Sequence, residues 1–237
     1  IVDHPPAKEE EIEYLLRHIN RYFNLAVTRA DVSSVWSGLR PLVQAPDTTN
    51  TAQPVTEHLI DVSGSGLLTV AGGKWTSYRR MAEEAVDQAI KTFLLGRTRA
   101  CYTKRFPLVG AEHFDIHAEA DLVANYGLAA DVANRLHHAY GDQAERVAEL
   151  AKAGFSARLH PDHPYLEAEV VYAVRNEFAE RASDVVTRRL SLALLDNAAA
   201  VAILPRVVEL MAGELGWSAE RRDAETAMGM ERLTVAI

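Results

Sequence analysis

The run Leu67-Leu68-Thr69-Val70-Ala71-Gly72-Gly73-Lys74-Trp75-Thr76-Ser77-Tyr78-Arg79 holds the residues best suited to binding chemistry. An apolar stretch meets two glycines, then a lysine, then a segment with apolar residues at helical spacing. This reads as a strand, a tight turn and a helix N-terminus. Such an N-terminus carries unpaired N–H groups and about half a positive charge, so it attracts anions. Glycines let the backbone approach a ligand without a Cβ in the way. Lys74 adds a mobile point charge and Thr76 a hydroxyl. The set suits a phosphate, a carboxylate or an electron-rich heterocycle. It equally describes a plain strand-to-helix turn with an exposed lysine. A second signal is Trp36-Ser37-Gly38-Leu39-Arg40-Pro41, where an arginine at a strand end is placed to clamp an oxyanion bidentately, or to sit in a structural ion pair.

The remaining reactive residues form no constellation. His137 and His138 occupy consecutive helical positions, point apart and read as surface or capping histidines. His160 and His163 flank a break with no clustered ligands, so no metal site is expected. Cys101, the single cysteine, reads as an inert packing residue and excludes a disulfide framework. Arg188-Arg189 and Glu220 to Asp223 read as solvated faces or ion pairs.

The elements that must position these groups follow from periodicity. Residues 7–24 read as an amphipathic helix behind Pro5-Pro6, with Glu9, Glu10 and Glu11 in its first turn. Residues 33–43 read as a strand and 44–54 as a loop. His58 to Val62 and Leu67 to Ala71 read as strands about a Ser63-Gly64-Ser65-Gly66 turn. A helix is expected from about Lys74 to Leu95, ended by Gly96. After a connector over residues 97–112, everything reads as helix: 115–125, 128–139, 142–153, 163–182, 183–195, 197–214 and 218–230. The apolar stretch Leu190 to Leu204, broken at Asp196-Asn197 and stopped by Pro205, reads as a buried helix. The fold class is therefore α+β, strands plus helices and then an all-α part.

Composition sets the outer bounds. The 237 residues include 25 Lys and Arg against 33 Asp and Glu, a formal charge of −8. That balance argues against non-specific nucleic-acid binding. No apolar run reaches the length of a membrane span. The opening Ile1-Val2-Asp3-His4-Pro5-Pro6, without an initiator Met or an apolar signal core, reads as the start of a piece of a longer protein. Missing targeting signals then say nothing of compartment.

Three blocks, Ser37-Gly38-Leu39-Arg40-Pro41-Leu42, His58-Leu59-Ile60-Asp61-Val62-Ser63 and Gly66 to Arg79, closely resemble FAD-dependent glycerol-3-phosphate dehydrogenases of the mitochondrial type. The resemblance continues through Tyr140-Gly141-Asp142, Pro164 to Val170, Arg188 to Asp196 and Leu204 to Met211, in the same order. It implies an α+β chain: residues 1–106 as the C-terminal remnant of an FAD-binding α/β domain, and residues 107–237 as an all-α cap. It implies oxidation of sn-glycerol 3-phosphate to dihydroxyacetone phosphate, with FAD as cofactor and electrons passing to ubiquinone. Arg40 and Lys74 match catalytic and substrate-contacting positions. Gly72, Gly73, Lys74, Trp75 and Thr76 match the backbone that meets the flavin. Thr56, followed by Glu57, stands where the family carries a phosphate-holding arginine two residues before His58. It brings no charge, and Glu57 would repel phosphate.

The resemblance also implies peripheral attachment to the inner mitochondrial membrane in a eukaryote, or to the cytoplasmic face of the plasma membrane in a bacterium. It leaves a homo-oligomer open. The sequence contains no Gly-x-Gly-x-x-Gly, the pattern that holds a dinucleotide pyrophosphate, and no Asp-x-Asp-x-Asp-Gly calcium loop. Two other readings stand beside the dehydrogenase: a related flavin oxidase of another substrate, and a non-catalytic helical interaction module. A Gly-x-Gly-x-x-Gly in preceding sequence would favour an enzyme.

Overall fold

A computed structural model of the chain describes residues 5–39, 42–43, 57–96 and 99–234. Arg40, Thr56 and the expected loop over 44–54 lie outside the described residues. The chain divides into two compact units, one of residues 1–38 with 108–237 and one of residues 39–107. This division by compactness differs from the family-based boundary between 106 and 107, because the first 38 residues group with the helices.

The helical unit begins with α1 (Glu9–Phe23), where the Lys8 amide donates to Glu11 Oε2 at 2.9 Å and Asn24 closes the helix in a left-handed conformation. The stretch expected as a strand over 33–43 forms none over residues 33–39. Its polar groups are taken by helical neighbours: the Ser33 carbonyl accepts from the Asn197 amide at 3.3 Å, and the Ser34 hydroxyl donates to the Ala193 carbonyl at 2.6 Å. These contacts to Ala193 and Asn197 hold the segment in place of a strand partner, and tertiary context outweighs β-propensity.

From residue 118 the unit is helical: α3 (Ala118–Tyr126), α4 (Ala130–Tyr140), α5 (Ala144–Leu150) running into a π-turn at Ala151–Phe155, and α6 (Glu167–Asn176). Then come α7 (Ala182–Asp184) with a π-turn at Val185–Arg189, α8 (Leu192–Leu195), α9 (Asn197–Leu215) and α10 (Ala219–Thr234). The expected 183–195 helix is thus interrupted at Leu190-Ser191, where Ser191 is left-handed. Asp196 divides the apolar stretch as expected. Its carboxylate caps α9 by accepting from the Ala199 amide at 2.9 Å. Pro205, expected to stop a helix, lies inside α9. It sits on the exposed side, while Leu204, Val207, Val208 and Met211 are buried around it, so packing offsets the missing N–H.

Helix α6 is the centre of this unit, buried over Glu167–Ala173. Its Val170 and Ala173 belong to a core with α9, whereas Ala168 and Tyr172 belong to a second core with α4 and α5. Between the two lies fully buried Glu169. It accepts from the Leu166 amide and the Tyr140 hydroxyl, both at 3.0 Å, and lies 3.3 Å from the Arg135 guanidinium, which itself stacks 4.6 Å over the Tyr165 ring. Burial pushes the Glu169 carboxyl above its ordinary pKa, against the pull of Arg135 and the hydrogen bonds.

Residues 39–107 form a two-stranded antiparallel hairpin and one helix. In β1 (His58–Val62) and β2 (Leu68–Gly72), His58 pairs with Gly72 and Val62 with Leu68. A single 3₁₀ turn at Trp75–Ser77 leads into α2 (Tyr78–Phe93). The helix thus starts four residues later than expected, and it closes at left-handed Leu94 rather than at Gly96. No described side chain of this unit is fully buried.

Two outcomes follow from these contacts. Glu169→Ala strands three donors, one of them charged, and lowers unfolding free energy by about 3–5 kcal/mol in urea melts of the chain. Gly73 has φ +84°, and a Cβ there would meet the Met81 sulfur at 2.6 Å and His58 Cβ at 3.1 Å. The sulfur can move aside but the backbone strain stays, so Gly73→Ala weakens the hairpin by about 1–3 kcal/mol, read as faster amide exchange in β1 and β2.

Candidate functional site

The strand-to-helix turn is built by two consecutive left-handed glycines, Gly72 at φ +74° and Gly73 at φ +84°. Neither position admits a side chain in place. At Gly72 a Cβ would meet Val43 Cγ2 at 2.7 Å and the Glu57 carbonyl at 3.2 Å. The turn lifts Lys74 off the sheet in an extended conformation, φ −122° and ψ 146°. The Lys74 carbonyl is held by the Ser77 amide at 3.0 Å and the Ser77 hydroxyl at 2.9 Å. Ser77 therefore spends its hydroxyl on the turn and does not cap α2. The amides of Trp75 and Thr76 donate to no acceptor among the described residues. Two N–H groups without an acceptor beside a lysine are donors that an anion could use, without the full first turn of α2 that the sequence suggested.

Lys74 opens onto a cleft of about 620 Å³ lined also by Glu57, His58, Ile60, Ser77, Arg80 and Glu84. The inward face of β1 supplies His58 and Ile60, and the first two turns of α2 supply Arg80 and Glu84. Glu84 ties these elements together. Its Oε1 lies 2.6 Å from Arg80 Nε and its Oε2 lies 2.7 Å from His58 Nε2. The hydrogen bond from Arg80 holds the Glu84 carboxyl below its ordinary pKa, and His58 adds to this. Beside them Arg79 bonds Glu83 at 2.7 Å and the Thr103 hydroxyl at 2.9 Å, fixing the segment after α2 along its first turns. Trp75 is 85% exposed, its ring stacked on Tyr78 at 5.4 Å.

The five expected cofactor residues, Gly72 to Thr76, are thus one continuous turn, with Lys74 at the cleft. Arg40 and Thr56 lie outside the described residues. His58, Ser77, Arg80 and Glu84 are cleft residues that the sequence reading did not single out. The (i, i+4) spacing of Arg80 and Glu84 was a signal for their pairing, but nothing in the sequence places His58 against Glu84. Elsewhere two expectations are corrected. His137 is buried and stacked 4.8 Å from Phe114, because α4 turns that face toward the chain after Gly110. Cys101 is exposed, in a segment without helix or strand, with its sulfur 3.0 Å from the Thr103 hydroxyl. Arg188 and Arg189 form the expected ion pairs, with Asp184 and Glu177. Among the described residues no three or more His, Cys, Asp or Glu are grouped to hold a metal, and no helix is long and apolar enough to cross a membrane.

The chain is similar to known proteins over most of its length. Residues 101–222 match the C-terminal domain of alpha-glycerophosphate oxidase. The mitochondrial glycerol-3-phosphate dehydrogenase of Mesocricetus auratus is 43% identical over 230 residues, covering 94% of this chain and 31% of the relative. That of Arabidopsis thaliana is 39% identical over 244 residues, covering 97% and 39%. The crystal structure of the glycerol-3-phosphate dehydrogenase from Bacillus halodurans complexed with FAD matches with a TM-score of 0.77 and 28% identity, over 98% of this chain and 46% of that one. The chain spans about a third of the length of the curated relatives it matches. With an α+β fold and a matching helical part, the chain belongs to the family of the C-terminal domain of alpha-glycerophosphate oxidase and corresponds to the C-terminal part of glycerol-3-phosphate dehydrogenases.

Proposed function

We propose that this chain is the late part of an FAD-dependent glycerol-3-phosphate dehydrogenase, which oxidises sn-glycerol 3-phosphate to dihydroxyacetone phosphate and passes the electrons to a quinone. The observation that carries this reading is the Gly72-Gly73 turn, which sets Lys74 at a cleft and is followed by two amides, of Trp75 and Thr76, that have no acceptor among the described residues. The turn fits a flavin edge. It offers a cation beside two N–H groups that have no acceptor among the described residues, a donor set for a ring that gains negative charge on reduction. When bound, FAD supplies the hydride acceptor.

The chain's own residues then have separate tasks. Lys74 and the two amides stabilise negative charge where it develops. Arg40 clamps the substrate and orients it for transfer. The site is placed in the mitochondrion if the source is eukaryotic and at the plasma membrane if it is bacterial, in line with the mitochondrial names of the relatives. Membrane attachment would be peripheral.

The test is the reductive half-reaction. Anaerobic glycerol 3-phosphate added to the protein isolated with FAD bleaches the flavin's visible band; a band that stays intact with FAD still bound rejects this substrate. Lys74→Ala lowers turnover by about 10- to 100-fold while FAD retention changes far less, since the charge it meets develops in the reaction. Equal turnover in the variant removes Lys74 from the chemistry. Thr56→Arg lowers KM for glycerol 3-phosphate by about tenfold if the phosphate lies beside that position, as a charge-assisted bond would. An unchanged KM places the phosphate elsewhere.

A further inference from the structure

The cleft holds a second cation that the resemblance does not assign. Arg80 stands six residues beyond Lys74 along the chain, in the first turn of α2, and lines the same cleft. Its guanidinium is tethered at one nitrogen. Nε is held at 2.6 Å by Glu84, whose other oxygen lies 2.7 Å from His58 on β1. With Nε engaged, both terminal amino groups of Arg80 remain without a partner among the described residues. A guanidinium held at Nε presents its outer edge, the edge that binds an oxyanion through two parallel N–H groups.

Lys74 is not the only charge an anion meets in the cleft. Glu57 also lines the cleft and forms no ion pair among the described residues. Lys74 alone would face an equal and opposite charge, and the cleft would have no preference for anions. Glu84 does not add to that opposition in full, because its carboxylate is shared between Arg80 and His58.

Resting on the reading of Lys74 as part of an anion site, we infer that Arg80 is a second phosphate-binding residue of this cleft and that Glu84 and His58 are its positioning residues. The cleft takes a small phosphate ester between Lys74 and the outer edge of Arg80.

The test uses the purified 237-residue chain and inorganic phosphate, titrated at constant ionic strength and followed by the amide shifts of residues 74–80. Arg80 is 74% exposed on its side chain, so its replacement leaves the fold intact, which circular dichroism checks. Arg80→Ala weakens phosphate binding about tenfold or more, as loss of a charge-assisted bond requires. Arg80→Lys keeps the charge but not the fork and falls between the two. Glu84→Gln removes a negative charge from the cleft, so weaker phosphate binding in that variant supports a positioning role for Glu84 and tighter binding overturns it. If Lys74→Ala abolishes binding while Arg80→Ala titrates like the parent chain, the anion site stands and the role of Arg80 is overturned. If the parent chain itself shows no phosphate-dependent shifts, the anion reading of the cleft fails and this inference with it.

Discussion

The arrangement of the cleft depends on one backbone constraint, two successive residues in the left-handed region at the end of β2. Only glycine takes that pair of conformations without strain, and here the space behind each Cα is already filled, by Val43 and the Glu57 carbonyl at Gly72 and by Met81 and His58 at Gly73. The turn therefore does two things at once. It reverses the chain direction tightly enough to lay α2 across the inward face of β1, which brings Glu84 to His58. It also leaves the Trp75 and Thr76 amides without an acceptor among the described residues, while Ser77 holds the Lys74 carbonyl. A longer or looser connection would satisfy those amides locally and remove the donors.

The two units are held by different physics. The helical unit has two apolar cores that meet at α6, with the Glu169 cluster between them. The hairpin unit has no fully buried side chain among its described residues, so apolar burial contributes little there. Its elements are joined by the β1–β2 ladder, by Glu84 between Arg80 and His58, and by Arg79 between Glu83 and Thr103. Ion pairs this exposed contribute at most about 1 kcal/mol each. Their value is geometric: they set the direction of side chains around a cleft, where a packed core would set only distance.

What the sequence made legible follows the same division. Periodicity located α1, the hairpin, α2 and α9 because each depends on local pattern: a stripe, a Ser-Gly turn, a capping Asp196. It misplaced what neighbours decide. Residues 33–39 have the composition of a strand, yet their polar groups are taken by Ala193 and Asn197, about 160 residues on. Pro205 carries a stop signal, but nine positions into a helix with buried residues on both sides the packing prevails. His137 looked like a surface residue because helical spacing shows which residues share a face, not what covers it. In the cleft, Gly72 to Thr76 were readable because they are contiguous. His58 and Glu84 were not, since 26 residues separate them and only the fold of the turn makes them partners.

Charge distribution reconciles an acidic chain with an anionic ligand. Residues 39–107 carry nine Lys and Arg against six Asp and Glu, while the remaining residues carry sixteen against twenty-seven. The negative total thus belongs to the segments that make up the helical unit, and the segment that builds the cleft is positive. At physiological salt, fields from charges beyond about 8 Å are largely screened, so an approaching phosphate responds to the local excess and not to the total. The same screening explains why the few charges lining the cleft matter individually. With Glu57 and Glu84 inside it, the balance is near zero, and the position of each cation, fixed by the glycine turn for Lys74 and by Glu84 for Arg80, decides whether an anion meets attraction or repulsion.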